Sequence, residues 1–436
     1  MANETIIVSY EQLNNAVQNA LSKQPDALLE APKKPAPKGY EAFESNEPMA
    51  TDEEAAALNE NLVRALKILE AEQRHSGVLA SPDDRFTSLL QSQLAENALL
   101  SGQVEPGKQG LEAKFDERDL LGWARSLLTW VKGWDPHDWQ TAPSTPDPIP
   151  NTLRVAILGD WGTGLYGAPA CAQSIEKDAN DYGLLLHLGD VYYSGTDKEI
   201  NDRFLGLWPK KPNAINRACN SNHEMYTGGY AYFDRTLTAF NQPASYFALQ
   251  NDHWLLVGLD SAYKEWELVN DQVGWLKGLI ANAGDRKVVL FSHHQLFSWM
   301  ETPKSKMQSA LGDLLTNKKI YGWYWGHEHR CMLYDRHPQF GIYGRCVGHS
   351  GYPYFTDKNN AGTVSAPGQQ GSVWRTVGMK NMVPGGMILE GPNPYVTDHE
   401  KEYGPNGYMT LELDGNRINE IVQMPDGSRA YEREIV

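Results

Sequence analysis

LLLHLGDVYYSG, residues 184–195, is an apolar run interrupted by one histidine and stopped by Gly189 and Asp190. Runs of this length are what strands buried on both faces look like. The polar residues come directly after the run, where the carboxyl end of a strand in an open α/β sheet presents ligand-binding groups. The same texture recurs before it in RVAILGD (154–160) and after it in HWLLVGLD (253–260), KVVLFSHH (287–294) and YGWYWGHEH (321–329). Near the end, residues 408–413 and 417–423 flank Asp414-Gly415-Asn416 and read as a closing hairpin.

Upstream of Leu153 the pattern is different. Residues 1–50 form an N-terminal segment in which Tyr10–Lys23 reads as one short helix and residues 31–40 (APKKPAPKGY) as a proline-punctuated linker. Residues 51–140 read as a small helical region. Thr51 and the acidic residues after it mark a helix start, and Leu58, Leu62, Ala65, Leu66 and Leu69 recur at helical spacing. Further helices are expected over 81–100 and over 111–134, where Leu120, Ala124, Leu127, Val131 and Trp134 share a face. Residues 141–150 (TAPSTPDPIP) carry four prolines and read as a second linker, leaving 151–436 as the main domain.

The chain has 436 residues, more than a single core usually fills. Its formal charge of −16 argues against nucleic-acid binding held by phosphate contacts, because a net anion repels a polyanion. No apolar run approaches the roughly 18–20 residues of a membrane span. The first residues lack a basic start and a long apolar stretch, so a cytoplasmic chain without signal peptide is expected. Cys171, Cys219, Cys331 and Cys346 are widely spaced and contain no CxxC, which suits free thiols in a reducing compartment.

Five polar clusters supply metal-ligand chemistry: Gly159-Asp160-Trp161-Gly162, Gly189-Asp190-Val191-Tyr192-Tyr193, Asn222-His223-Glu224, Ser292-His293-His294 and Gly326-His327-Glu328-His329. Carboxylate, imidazole, phenolate and amide oxygen all bind borderline to hard cations such as Zn, Mn and Fe. Each cluster alone is weak, since an aspartate after a strand is usually a helix cap and a lone histidine usually a core or surface residue. All five in this order, each read as lying at a strand end, are hard to obtain by chance.

The order GDxG, GDxxY, NHE, H, GHxH resembles the calcineurin-like metallophosphoesterases, and within them the purple acid phosphatases. Most relatives of that kind carry a metal-binding histidine two residues after the first aspartate; here Gly162 stands there. The purple branch instead has a tyrosine three residues after the second aspartate, and Tyr193 stands there. The resemblance implies a four-layer α/β/β/α sandwich of two mixed sheets, preceded here by the helical segment. It also implies two metal ions, Fe(III) with Zn, Mn or Fe(II). One is held by Asp160, Tyr193 and His329 and the other by Asn222, His293 and His327, with Asp190 bridging. A hydroxide generated from water at the pair would hydrolyse a small phosphorylated substrate, a monoester or a diester. His223 would stabilise developing charge or protonate the leaving group, Glu224 would orient its loop, and His294 would brace the ligands or face substrate. The family's third motif usually begins with glycine, where this chain has Ser221; a positive φ there would strain it.

Two other classes compete. Gly162-Thr-Gly-Leu-Tyr-Gly167 matches the dinucleotide-binding GxGxxG, a weak signal alone that leaves the histidine clusters unexplained. A non-catalytic binding protein could keep the fold, and the N-terminal helices could dock a protein partner. Of the remaining polar residues, His187 reads as a hydrogen-bonded core residue, Asp260 as a turn or cap, Trp161 as packing or pocket wall, and His349 and Tyr352 as a substrate rim.

Overall fold

The computed structural model describes residues 136–164, 166–301, 306–354, 356, 363–366, 371–396 and 400–435, together with Ser88 and Ser92. The helices expected over 10–23, 51–69 and 111–134 and the linker over 31–40 lie outside the described residues; within 81–100, Ser88 and Ser92 are helical and buried. The chain divides into two compact units, Met1–Asp135 and Pro136–Val436. All five polar clusters belong to the second.

Two mixed sheets make up this unit. The larger runs in the order β1 (Asp147–Pro148), β5 (Phe247–Gln250), β6 (Trp254–Gly258), β7 (Lys287–Ser292), β8 (Ile320–Trp325), β10 (Tyr343–Val347), β9 (Cys331–Tyr334), β13 (Gly386–Glu390), β12 (Val373–Val377) and β11 (Thr363–Ser365). The smaller runs β16 (Arg429–Glu434), β15 (Arg417–Gln423), β14 (Tyr408–Asp414), β2 (Thr152–Leu158), β3 (Leu184–His187) and β4 (Ile215–Ala218). Strands β2, β3 and β4 are parallel, as are β6, β7, β8 and β10, while β14 on β2, β5 on β6 and β9 on β10 pair antiparallel.

The apolar runs bury both faces because successive side chains alternate sides. On β2, Val155 and Ile157 enter the core between the sheets, while Ala156 and Leu158 turn outward. There they pack with Cys171, Ala172 and Ile175 of α1 (Gly167–Lys177). On β7, Val289 and Phe291 face the inter-sheet core, and Val288 and Leu290 meet Leu276 and Leu279 of a helix over Gln272–Ala281. Three apolar cores thus separate four layers, helix, sheet, sheet and helix, the architecture expected. The hairpin forms as expected, with Asp414 opposite Arg417.

The segment 141–150 differs from its reading as a linker. Its prolines forbid a central strand but not an edge one, and β1 pairs in parallel with β5. Ala142 is buried with Ala244 and Tyr246, and Ile149 enters the inter-sheet core. The Trp275 indole also donates to Pro143 O at 2.9 Å, which anchors the segment to the second unit. Among the described residues no helix is long and apolar enough to cross a membrane.

Candidate metal centre

The parallel strands deliver the polar clusters to one place. Asp160 follows β2, Asp190 follows β3, His293 follows β7, and His327 and His329 follow β8. Asn222 and His223 open a one-turn helix, α2 (Asn222–Met225). The loops after β2 and β3 are stitched together: Asp160 N donates to Gly189 O (3.1 Å), Gly162 N to Asp190 O (3.0 Å) and Tyr192 N to Gly162 O (3.0 Å). Gly162, the first glycine of the GxGxxG match, therefore serves loop-to-loop contact, at φ +67°.

Four candidate ligands adopt left-handed backbone: Asp160 (φ +53°), Asp190 (+72°), His327 (+69°) and His329 (+50°). Non-glycine residues held there cost about 1–3 kcal/mol each and concentrate at functional sites. Crowding explains the neighbouring glycines. A Cβ on Gly326 would lie 2.9 Å from Asp160 Oδ2, and one on Gly189 would lie 3.0 Å from His293 Nδ1.

Two donor groups result. The donor atoms of Asp160, Asp190 and His329 lie within 4.8 Å of one another, and so do those of His293, His294 and His327. Asp190 joins them, its Oδ1 3.2 Å from His293 Nε2 and its Oδ2 3.6 Å from His329 Nε2. His293 Nδ1 lies 2.9 Å from Leu188 O, which can only accept, so Nδ1 carries the ring proton. Burial lowers the pKa of His293 and so favours the neutral ring, in which Nε2 carries the lone pair. That lone pair faces Asn222 Oδ1 (2.9 Å), His327 Nδ1 (3.2 Å) and Asp190 Oδ1. The Asn222 amide is oriented by donation from Nδ2 to the Tyr226 hydroxyl at 2.9 Å. A carboxylate oxygen, an amide oxygen and imidazole nitrogens converging at one point are the donor set that borderline cations take, so these residues fit a metal.

The carboxylates carry the same mark. Asp160 Oδ1 accepts from His327 N at 2.9 Å, while Oδ2 is buried without a hydrogen-bond partner among the described residues. Burial and the neighbouring charge of Asp190 hold Asp160 well above the usual carboxylate range. Burial acts the same way on Asp190, but His293, His223 and His329 outweigh it and hold it well below.

The phenol of Tyr192, one residue before the sequence candidate Tyr193, meets this centre. Tyr192 Oη lies 3.0 Å from Asp190 Oδ2 and 2.6 Å from His329 Nε2. Tyr193 braces through its backbone, its N donating to Glu199 Oε1 and its O accepting from His223 Nδ1, both at 2.6 Å. His223 packs on the Tyr192 ring, with centroids 3.9 Å apart. Ser221 is extended (φ −132°) and caps α2, its hydroxyl accepting from His223 N and donating to Glu224, so the departure from glycine carries no strain. Glu224 Oε2 in turn accepts from Asp190 N (3.3 Å) and Val191 N (3.4 Å), which ties α2 to the Asp190 loop. Burial and Asp190 push Glu224 up to about 8.

His294 joins the second donor group and bonds Ser261 Oγ through Nδ1 at 3.0 Å, with the Trp266 ring tilted against it (centroids 4.5 Å apart). Trp266 and Ser261 had no signal in the sequence. Tyr352 sits against His329 (4.2 Å) and Tyr192 (4.8 Å). His349 does not belong to an open rim, being fully buried. Trp161 is packing, its indole donating to Arg203 O at 2.7 Å. His187 is a core residue, but it is surrounded by Trp161, Phe204 and Trp208 rather than hydrogen-bonded through Nε2. Asp260 makes a turn, accepting from Ala262 N and Tyr263 N.

Residues 153–331 match the sequence profile described as calcineurin-like phosphoesterase. No curated protein matches the chain. Among solved structures, purple acid phosphatase PPD1 from yellow lupin (Lupinus luteus) seeds overlaps at 12% identity and TM-score 0.46, covering 68% of this chain and 55% of that one. This chain thus spans little more than half the lupin protein's length. The GAP50 anchor of the Plasmodium inner membrane complex overlaps at 14% identity and TM-score 0.43, covering 65% and 88%. PhoD overlaps at 10% identity and TM-score 0.42, covering 68% and 73%. Residues 153–331, which carry all five polar clusters, are thus similar to the calcineurin-like phosphoesterases.

Proposed function

We propose that the chain hydrolyses phosphate esters at a dinuclear metal centre of the purple-acid-phosphatase kind. The observation that carries this reading is Asp190, whose two oxygens face the two donor groups separately. One site takes Asp160, His329 and a tyrosine phenol and suits Fe(III). The other takes Asn222, His293 and His327 and suits Zn, Mn or Fe(II). Bound cations supply positive charge for the phosphoryl oxygens and activate the attacking water.

The chain's own residues divide the remaining work. His223 carries its Nδ1 proton toward Tyr193 O, which fixes the ring over Tyr192 and beside the centre. Protonated, it donates to the leaving oxygen and counters its charge. Tyr352, with 6% of its surface exposed, supplies an apolar wall over His329. Glu224 and Ser221 hold the bridging loop in register.

Elemental analysis of the purified chain, paired with p-nitrophenyl phosphate and bis-p-nitrophenyl phosphate assays, tests the reading. Close to two metals per chain with turnover of either ester supports it, and the preferred ester names the substrate class. No bound metal and no turnover after supplementation with Fe, Zn and Mn would overturn it in favour of a binding role.

A further inference from the structure

Glu199 has no place in the metal chemistry, yet its side chain is fully buried at the start of a π-helical segment, Glu199–Leu205. Burying a carboxylate is costly unless its oxygens are hydrogen-bonded. Here Oε1 accepts from Tyr193 N at 2.6 Å, and Oε2 accepts from Ser194 N and Thr196 N at 3.0 Å each. Part of this arrangement is ordinary helix capping. Thr196 Oγ1 accepts from Glu199 N at 3.3 Å while Glu199 accepts from Thr196 N, a reciprocal capping box. The bonds to Tyr193 and Ser194 lie outside that box.

Those two residues are the ones that hold the His223 turn. Tyr193 O accepts from His223 Nδ1 at 2.6 Å, and Ser194 O accepts from Thr227 Oγ1 at 2.9 Å. The loop is clasped by Glu199 on its N–H side and by His223 and Thr227 on its C=O side. A carbonyl only accepts, so Tyr193 O obliges the ring proton onto Nδ1 and turns Nε2 away from the loop.

We propose that Glu199 is a positioning residue for His223: by pinning the Tyr193 peptide it sets the tautomer and direction of the imidazole at the centre. The inference rests on His223 acting as the proton donor to the leaving oxygen. Glu199→Gln is nearly isosteric, but its amide NH2 cannot accept a backbone N–H, so one side of the clasp opens.

The test combines Glu199→Gln, His223→Ala and the double variant, with phenyl phosphate as a poor leaving group and p-nitrophenyl phosphate as a good one. Bound metal should stay at the wild-type level in Glu199→Gln. Turnover of phenyl phosphate should fall by about tenfold or more, within the range a positioned general acid contributes, and p-nitrophenyl phosphate should suffer less. In the His223→Ala background the same change should cost under about twofold, since residues acting through one another are not additive. Long-range ¹H–¹⁵N spectra of histidine-labelled protein give a readout independent of activity. The signals missing in His223→Ala should report an Nδ1–H ring in the wild type and a changed tautomer in Glu199→Gln. Equal losses in both backgrounds, loss of metal, or an unchanged tautomer would overturn the proposal. An inactive wild type would overturn the proposed function instead, and the tautomer would still decide the role of Glu199.

Discussion

The Tyr192 phenol oxygen lies 2.6 Å from His329 Nε2, which puts Tyr192 against the first donor group. Burial and Asp190 raise Tyr192 well above its ordinary range, so its O–H is intact and donates to Asp190 Oδ2 at 3.0 Å. Only a strongly polarising cation would ionise it. With Fe(III) bound, Tyr192→Phe should abolish the tyrosinate charge-transfer band, and Tyr193→Phe should retain it. Visible absorption and resonance Raman spectra, normalised to iron content, decide between them. A band lost only in Tyr193→Phe would mean that the following tyrosine turns inward when metal binds.

Asp190 faces both donor groups, so its removal uncouples them. Asp190→Ala should lower bound metal from about two to less than one per chain, whereas His223→Ala should keep the metal and lose turnover. Metal content by elemental analysis of the two variants checks this, and equal content in Asp190→Ala and wild type would sink the bridging role.

Burial pushes His187 and His349 down to about 3 and His337 down to about 4. A histidine depressed in the folded state binds protons more tightly when unfolded. Its contribution to stability is therefore complete above the unfolded value near 6.5 and is lost as pH falls from there toward 3–4. Between pH 6.5 and 5 a single such group removes up to about 2 kcal/mol. His187 is the cleanest probe because aromatic rings surround it. His187→Phe should flatten the fall in urea midpoint between pH 7 and pH 5, and an unchanged slope would show that His187 does not titrate in the transition.

The strands that bear the centre were legible because burial on both faces leaves an uninterrupted apolar run, as in Val155–Leu158 or Val288–Phe291. The clusters were legible because most follow such a run at a fixed offset. Loops offer no comparable period. Tyr192 and Tyr193 are adjacent, and composition alone does not say which ring a loop turns inward. Ser221 looked like a substituted turn glycine, but its hydroxyl made it a helix cap, a role set by Glu224 three residues on. Strands β9 and β11 to β13 went unread, and polar residues such as Arg345 on β10 and Arg375 on β12 interrupt the apolar pattern of this part of the sheet. Each arginine is paired inside the fold, with Glu420 and Glu390 respectively.

The first of those pairs yields a final prediction. Arg345 lies on β10 and Glu420 on β15, so their ion pair spans the two sheets, with Nη2 2.8 Å from Oε2 and Nε 2.9 Å from Oε1. The Tyr324 hydroxyl also donates to Glu420 Oε1 at 2.6 Å, and Arg345 Nη1 donates to Tyr334 O and Gly344 O at 2.8 Å. All three side chains are buried. Removing one partner strands a buried charge, which typically costs 3–5 kcal/mol, whereas replacing the whole group by apolar residues is often neutral. Arg345→Met should therefore lower the unfolding free energy by about 3–5 kcal/mol. The triple variant Arg345→Met, Glu420→Met, Tyr324→Phe should recover more than half of that loss. Urea denaturation of the three proteins measures both. Were the triple variant as unstable as the single one, the network would contribute net stability across the sheets instead of merely neutralising its own buried charge.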